Sequence, residues 1–241
     1  MGRRPAPPVM TPVGRSETGS VETGSAVSGD QPAVAVELDH LVLATPTLSA
    51  TVEDFHARTG VRPSPGGRHL GVGTRNYLVG LGAGHYLEIV GPDEERATDR
   101  PGVMPFGIDD LVAPRLATWS VRQADLDLAT RAALSAGADL GPVRSMTRRA
   151  NDGSVVQWRV AYPVPAPFDG VVPFVIDWGT SLHPASTELP EVSLVEVRGS
   201  HPQAAAVRRV LDALGVGLRL NQGPAGLEAD LQTPRGLVTL R

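Results

Sequence analysis

The order strand, helix, strand, strand, strand returns three times along this 241-residue chain, and a repeat of that kind limits the fold more than any other feature does. Leu38 to Ala44 reads as a strand stopped by Thr45-Pro46. Leu48, Val52, Phe55 and Thr59 then recur at helical spacing as far as Gly60. After a short Val61-Arg62 stretch and a glycine-rich loop from Pro65 to Gly73, a hairpin follows. Its arms are Thr74 to Leu81 and His85 to Val90, turned at Gly82-Ala83-Gly84.

The second copy has a strand at Leu116 to Val121 and a helix from Asp125 to Ala136, with Asp125 as N-cap and Gly137 as stop. Strands at Pro142 to Met146, Val155 to Ala161 and Val172 to Trp178 complete it. A shift that carries Leu38 onto Leu116 also carries Leu43 onto Val121 and Leu48 onto Leu126. The third copy begins at Val192 to Val197 and continues with a helix striped by Val207, Val210, Leu211 and Leu214. Ser200, Pro202 and Gln203 form its capping box. Strands at Gly217 to Leu220, Leu227 to Leu231 and Gly236 to Leu240 end it. The expected class is α+β, with repeated βαβββ units whose curved mixed sheets surround a cleft. The expected domains are a disordered tail over 1–33, two units over 34–185 and a third compact unit over 190–241. The tail is rich in Pro, Gly, Ser, Thr and Glu, too poor in apolar surface to offset its ordering entropy.

Composition removes several chemistries. There is no Cys, so no disulfide, thiolate metal site or thiol nucleophile is available, and every basic residue is Arg, so neither a Schiff-base nor a P-loop lysine exists. A net charge of −4 without a long basic run argues against nucleic acid as a partner. No apolar run approaches the roughly 18–20 residues of a membrane span, and residues 1–33 lack a secretory core. The cytoplasm is the expected location, no membrane partner is expected, and a homodimer is compatible with the sequence.

The strand Leu38-Asp39-His40-Leu41-Val42-Leu43, the loop from Gly66 to Asn76, the segment Tyr86-Leu87-Glu88-Ile89-Val90-Gly91-Pro92 and the segment Pro173 to Gly179 together resemble the bacterial glyoxalase-like domain proteins of the vicinal-oxygen-chelate superfamily. That resemblance implies paired βαβββ units around a cleft. It further implies a divalent metal held from the first and fourth strands of each unit, and a small-molecule ligand. By alternation His40 shares a face with Leu38 and Val42, and Glu88 shares one with Tyr86 and Val90. His40 and Glu88 are therefore the candidate metal ligands and the candidate catalytic pair. A His hydrogen-bonded to a buried Glu without metal is the equal alternative.

The second unit departs from this pattern, with Thr118 in the place of His40 and Ile176 or Asp177 in that of Glu88. A third ligand would have to come from Asp177 or His183, because a catalytic zinc site normally has about three protein ligands. Arg68, His69, Thr74 and Asn76 of the loop, with Arg159 and Trp178, are the expected substrate-binding residues. Arg159 would be a carboxylate clamp, although only one of Trp158 and Arg159 can face the cleft. The function implied is small-molecule binding, with a metal-dependent lyase, isomerase or dioxygenase reaction. The alternative is non-catalytic, antibiotic-like binding without metal.

Overall fold

A computed structural model describes residues 1–2, 38–69, 71–96, 102–149 and 153–241. The tail expected over 1–33 lies, but for its first two residues, outside them. The first unit contains β1 (Leu38–Ala44), α1 (Leu48–Thr59), β2 (Ser64–His69), β3 (Thr74–Gly82) and β4 (His85–Pro92). The second contains β5 (Arg115–Arg122), α2 (Leu126–Ala136), β6 (Arg144–Arg149), β7 (Val155–Ala161) and β8 (Phe174–Asp177). The chain ends with β9 (Ser193–His201), α3 (Ala204–Leu214), β10 (Arg219–Gln222), β11 (Gly226–Thr233) and β12 (Gly236–Leu240).

The helix ends follow from local chemistry. Asp125 accepts a hydrogen bond from the Leu128 amide at 2.9 Å, and all three helices stop at a left-handed glycine, Gly60, Gly137 or Gly215. The α3 stripe of Val207, Val210, Leu211 and Leu214 is buried, which contributes about 1.5–3 kcal/mol per side chain. Its N-terminus differs from expectation. β9 runs on through Ser200, whose hydroxyl donates to the Pro224 carbonyl at 2.5 Å, while His201 Nδ1 accepts from the Gln203 amide at 2.9 Å.

The first two units close into one eight-stranded barrel in the order β1-β4-β3-β2-β6-β7-β8-β5. Each contributes its strands in the same internal order, so the halves are related by an approximate two-fold. The expected cleft is thus the inside of a closed barrel. Leu41, Leu43, Leu87 and Ile89 point outward with Leu48, Val52 and Phe55 into the main apolar core, joined there by Trp119, Val121, Leu126 and Ala133. Val42, Val90, Ala117, Val160 and Phe174 point inward.

The last unit repeats the order of elements but not the pairing. Its sheet runs β10-β9-β11-β12, with β9 parallel to β10 and antiparallel to β11. Val197, Val207, Val210, Ala229 and Leu231 belong to the same core as the barrel's outer face. Backbone bonds join it to the barrel, from the Gly80 amide to the Pro190 carbonyl at 2.9 Å and from the Val192 amide to the Gly80 carbonyl at 3.0 Å.

Several boundaries move, among them β8, which starts at Phe174 rather than Val172, and β10, which starts at Arg219 rather than Gly217. Val61-Arg62 is not a strand, and β2 lies within the segment read as a glycine-rich loop. Gly66 and Gly67 permit it. A Cβ on Gly66 would stand 2.3 Å from Asn76 Oδ1, and one on Gly67, whose φ is +146°, would stand 2.3 Å from the Arg149 carbonyl. Likewise β6 starts at Arg144 rather than Pro142.

Candidate active site

Inside the barrel is a cavity of about 110 Å³. Its polar lining comes from His40, His69, Asn76, Glu88 and Arg148, and its apolar wall is chiefly Phe106, Trp158, Tyr162, Phe174 and Trp178.

Strand pairing sets the polar groups. β1 and β4 run parallel with His40 opposite Tyr86 and Val42 opposite Glu88, so both side chains enter the same interior. His40 Nε2 stands 3.7 Å from Glu88 Oε2, with both residues buried. The His40 ring stacks on Tyr86 at 4.7 Å. Burial and the nearby Asp39 and Glu88 charges push the Tyr86 phenol well above its ordinary value, which keeps it neutral.

Behind His40 is Asp39, fully buried at the rim of the barrel. Its Oδ1 lies 2.6 Å from His40 Nδ1, while Oδ2 accepts from Trp178 Nε1 at 3.0 Å and His183 Nε2 at 2.9 Å. His183 must donate there, because its Nδ1 accepts from the Ala185 amide at 3.1 Å. Arg122 Nε stands 3.4 Å from the same Oδ2. Burial alone would raise the Asp39 carboxyl, but hydrogen bonds from His183 and His40 and their charges outweigh it and hold the group well below the carboxylate range. A carboxylate only accepts, so Asp39 fixes the proton of a neutral His40 on Nδ1 and leaves Nε2 as an acceptor facing the cavity.

Glu88 is oriented from the other side. Asn76 Nδ2 donates to Glu88 Oε1 at 2.5 Å, and Arg148 Nη1 donates to Asn76 Oδ1 at 3.3 Å. The guanidinium can only donate and the carboxylate only accept, so the Asn76 amide has one orientation. His69 Nε2 is 3.6 Å from Glu88 Oε1, and its Nδ1 is 2.9 Å from the Thr74 hydroxyl. Burial lowers the His69 imidazole; Glu88 opposes this, while Arg148 and His40 reinforce it. His40 Nε2 and Glu88 Oε2 are thus two acceptors facing one space, which a proton placed between them would satisfy.

Of the expected binding residues, His69, Asn76 and Trp178 line the cavity, and Thr74 stands behind His69. Arg68 and Arg159 do not reach it. Arg68 turns outward to Asp93 and Glu95, and Arg159 is half-exposed with Asp127 3.7 Å away. Alternation along β7 accounts for Arg159, because Trp158 takes the inward place. Asp39 and Arg148 are residues that sequence reasoning left without a role, and His183, expected as a third metal ligand, donates to Asp39 instead. Asp39 offered one signal, an acid on an otherwise apolar strand face.

Pairing also revises one equivalent position in the second unit. The β1–β5 register pairs Leu38 with Val121 and Leu43 with Leu116, and His40 with Ser120 and Val42 with Thr118, so Thr118 corresponds to His40 and Ser120 to Val42. Ser120 lies opposite Phe174 as Val42 lies opposite Glu88, so Phe174 rather than Ile176 or Asp177 stands in the place of Glu88. A slip of two residues preserves side-chain alternation, so alternation could not detect it. Neither position supplies a metal ligand. Asp177 accepts from the Gly179 amide at 2.8 Å and His183 is committed to Asp39, so neither completes a set. Among the described residues no group of three His, Cys, Asp or Glu side chains is arranged to hold a metal ion. The buried Arg148 cation is bonded to the same Asn76 that orients Glu88. These residues do not fit a resident divalent metal, which would take about three protein ligands.

Tyr162, driven up to about 12 by burial against the opposing influence of the Phe106 amide and Arg115, accepts from the Phe106 amide at 2.9 Å. That bond fixes the segment Pro105–Asp110, whose Phe106 side chain lies against Phe174 over the cavity.

A family profile described as "Glyoxalase-like domain" matches residues 38–215. No curated protein matches the chain. Among solved structures, a hypothetical protein from Staphylococcus aureus is 13% identical with a TM-score of 0.58, over 85% of this chain and 98% of its own. A methylmalonyl-CoA epimerase from Mycobacterium tuberculosis is 20% identical with a TM-score of 0.35, over 60% of this chain and 87% of its own. A Streptomyces coelicolor methylmalonyl-CoA epimerase in complex with 2-nitronate-propionyl-CoA is 20% identical with a TM-score of 0.38, over 61% and 97%. The shared fold and the profile match over most of the chain lead to one conclusion: the protein belongs to the glyoxalase-like domain family.

Proposed function

We propose that the protein binds a small organic molecule inside the barrel and moves a proton on it, with His40 Nε2 as the base. In this reading Asp39 holds the imidazole in its tautomer and stabilises the imidazolium that forms, while Glu88 Oε2 is the second acceptor in reach of the same proton. The reaction type is that of an isomerase or a lyase acting on a carbon acid, without a step through a metal. One observation carries it. His40 is bonded through Nδ1 to a buried carboxylate at 2.6 Å, while its Nε2 stands 3.7 Å from Glu88 in a cavity walled opposite by Phe106, Trp158, Tyr162 and Phe174.

The test is solvent deuterium incorporation into a panel of small carbon acids, followed by proton NMR. Incorporation with wild-type protein should persist in a chelator and fall by at least about 10²-fold in His40→Gln, within the usual contribution of a general base. Loss of exchange on chelation, or undiminished exchange in His40→Gln, would rule out this mechanism. A ligand that stabilises the fold with no exchange in any panel member would leave binding as the whole function.

A further inference from the structure

Arg148 is a charged residue of the barrel interior with no ionic partner among the described residues. It is buried, with 6% of its surface exposed, and it lines the cavity. Among the described residues its guanidinium donates to a neutral amide oxygen, Asn76 Oδ1. Among the described residues no carboxylate lies within ion-pair distance of it, whereas Arg62, Arg68, Arg75, Arg122 and Arg198 each have one. An uncompensated buried charge costs several kcal/mol and persists where something pairs with it.

The surrounding backbone makes room for this guanidinium. Arg148 in β6 pairs with His69 in β2, and a Cβ on Gly66 of β2 would stand 2.6 Å from Arg148 Nη1. The strand lacks a side chain where the cation lies. Opposite are the rings of Trp158, Phe174 and Trp178. A single planar cation in an apolar chamber suits a planar monoanion, which can take two parallel N–H bonds. A phosphate dianion would need further donors.

We propose that the molecule held in the barrel is a small monocarboxylic acid whose carboxylate pairs with Arg148. The inference rests on the reading of the barrel interior as the place of binding and adds the substrate class. Asn76 links Arg148 to Glu88, so a carboxylate on the guanidinium puts the rest of the acid on the side where Glu88 and His40 face the cavity. A volume of about 110 Å³ suits an acid of about four to six non-hydrogen atoms, since a cavity of about 150 Å³ holds benzene. Arg148 acts as a binding residue and does not take part in the proton transfer.

Propionate and its neutral isostere propionamide test this, titrated against the full chain and followed through the fluorescence of Trp158 and Trp178. Propionate should bind saturably, propionamide at least about 10-fold more weakly and inorganic phosphate not at all. Arg148→Met should weaken propionate about 30-fold, or ~2 kcal/mol at 1.4 kcal/mol per decade, and weaken propionamide, which loses only a neutral acceptor's hydrogen bond, by much less. Arg148→Lys, which keeps the charge and loses the fork, should fall between the two. A loss for propionamide much smaller than that for propionate in each variant reports an intact cavity. Equal affinity for propionate and propionamide, phosphate binding tighter than propionate, no saturable propionate binding, or undiminished propionate binding in Arg148→Met would each overturn the proposal. Propionate binding is read without turnover, so absent deuterium exchange would count against the proton-transfer mechanism alone.

Discussion

Replacing Asp39 with Asn should transfer the His40 proton from one ring nitrogen to the other. Asn presents one oxygen and one NH₂ where Asp presents two oxygens. The NH₂ cannot face Trp178 Nε1, a donor only, nor His183 Nε2, whose proton is fixed by the Ala185 amide. The amide oxygen therefore stays with Trp178 and His183, and the NH₂ meets His40 Nδ1. That nitrogen must then accept, so the proton of neutral His40 moves to Nε2 and the base facing the cavity is lost. Three hydrogen bonds change from charge-assisted to ordinary, a loss of about 1 kcal/mol each. The end of a buried charge offsets part of this, for a net destabilisation of about 1–3 kcal/mol at neutral pH.

Nitrogen-15 NMR of labelled imidazole distinguishes a protonated from a bare ring nitrogen directly, and urea unfolding gives the stability. The Asp39 carboxyl is depressed in the folded state, so its contribution is complete above its unfolded value of about 3.9 and is lost as pH falls through the folded value. The gap between variant and wild type should therefore close in strong acid. Deuterium exchange should drop on the order of 10³-fold, as for a histidine held in the wrong tautomer. A bare Nε2 in the variant, with wild-type stability, would refute the reasoning.

Gly66→Ala should destabilise by about 1–3 kcal/mol in chemical unfolding, because the new methyl would overlap Asn76 Oδ1 and Arg148 Nη1. His69 is held below its ordinary value, chiefly by burial, so the unfolded chain binds more protons in the window beneath about pH 6.5 and stability falls as pH drops there. His69→Gln should flatten that slope in urea titrations at several pH values, and an unchanged slope would count against it. A chain ending at Pro184 loses β9 to β12 and α3, which share the main core with Trp119, Val121 and Leu126. It should aggregate or unfold at lower urea, and a soluble truncation of wild-type stability would contradict this.

The barrel's secondary structure was legible where periodicity and stop signals agreed. Leu48 to Thr59 with Gly60, and Leu126 to Ala136 between Asp125 and Gly137, were readable from spacing alone. β2 was not, because its Gly66-Gly67 pair is poor strand sequence that is favoured by what lies over it, the Asn76 and Arg148 side chains. The convergence of His40 and Glu88 on one interior followed from alternation plus the family resemblance. Asp39 escaped for the same reason that His40 was found. Alternation gives the direction of a Cβ, but a carboxylate at a strand's first turn around the rim reaches partners 139 and 144 positions away in sequence. Arg148 escaped because β2 and β6 meet, among the described residues, through two residue pairs, a junction that spacing does not reveal.

The two halves of the barrel are built alike yet carry different duties. The two proposed acceptors, His40 Nε2 and Glu88 Oε2, stand on β1 and β4, while Trp158, Val160, Phe174 and Ile176, from β7 and β8, form the facing wall. Exchanging wall side chains would change which molecules fit without disturbing the distances among Asp39, His40 and Glu88. Selectivity and reactivity are therefore separately adjustable, so a scaffold of this kind can acquire a new substrate by altering one half-barrel while the other keeps its chemistry.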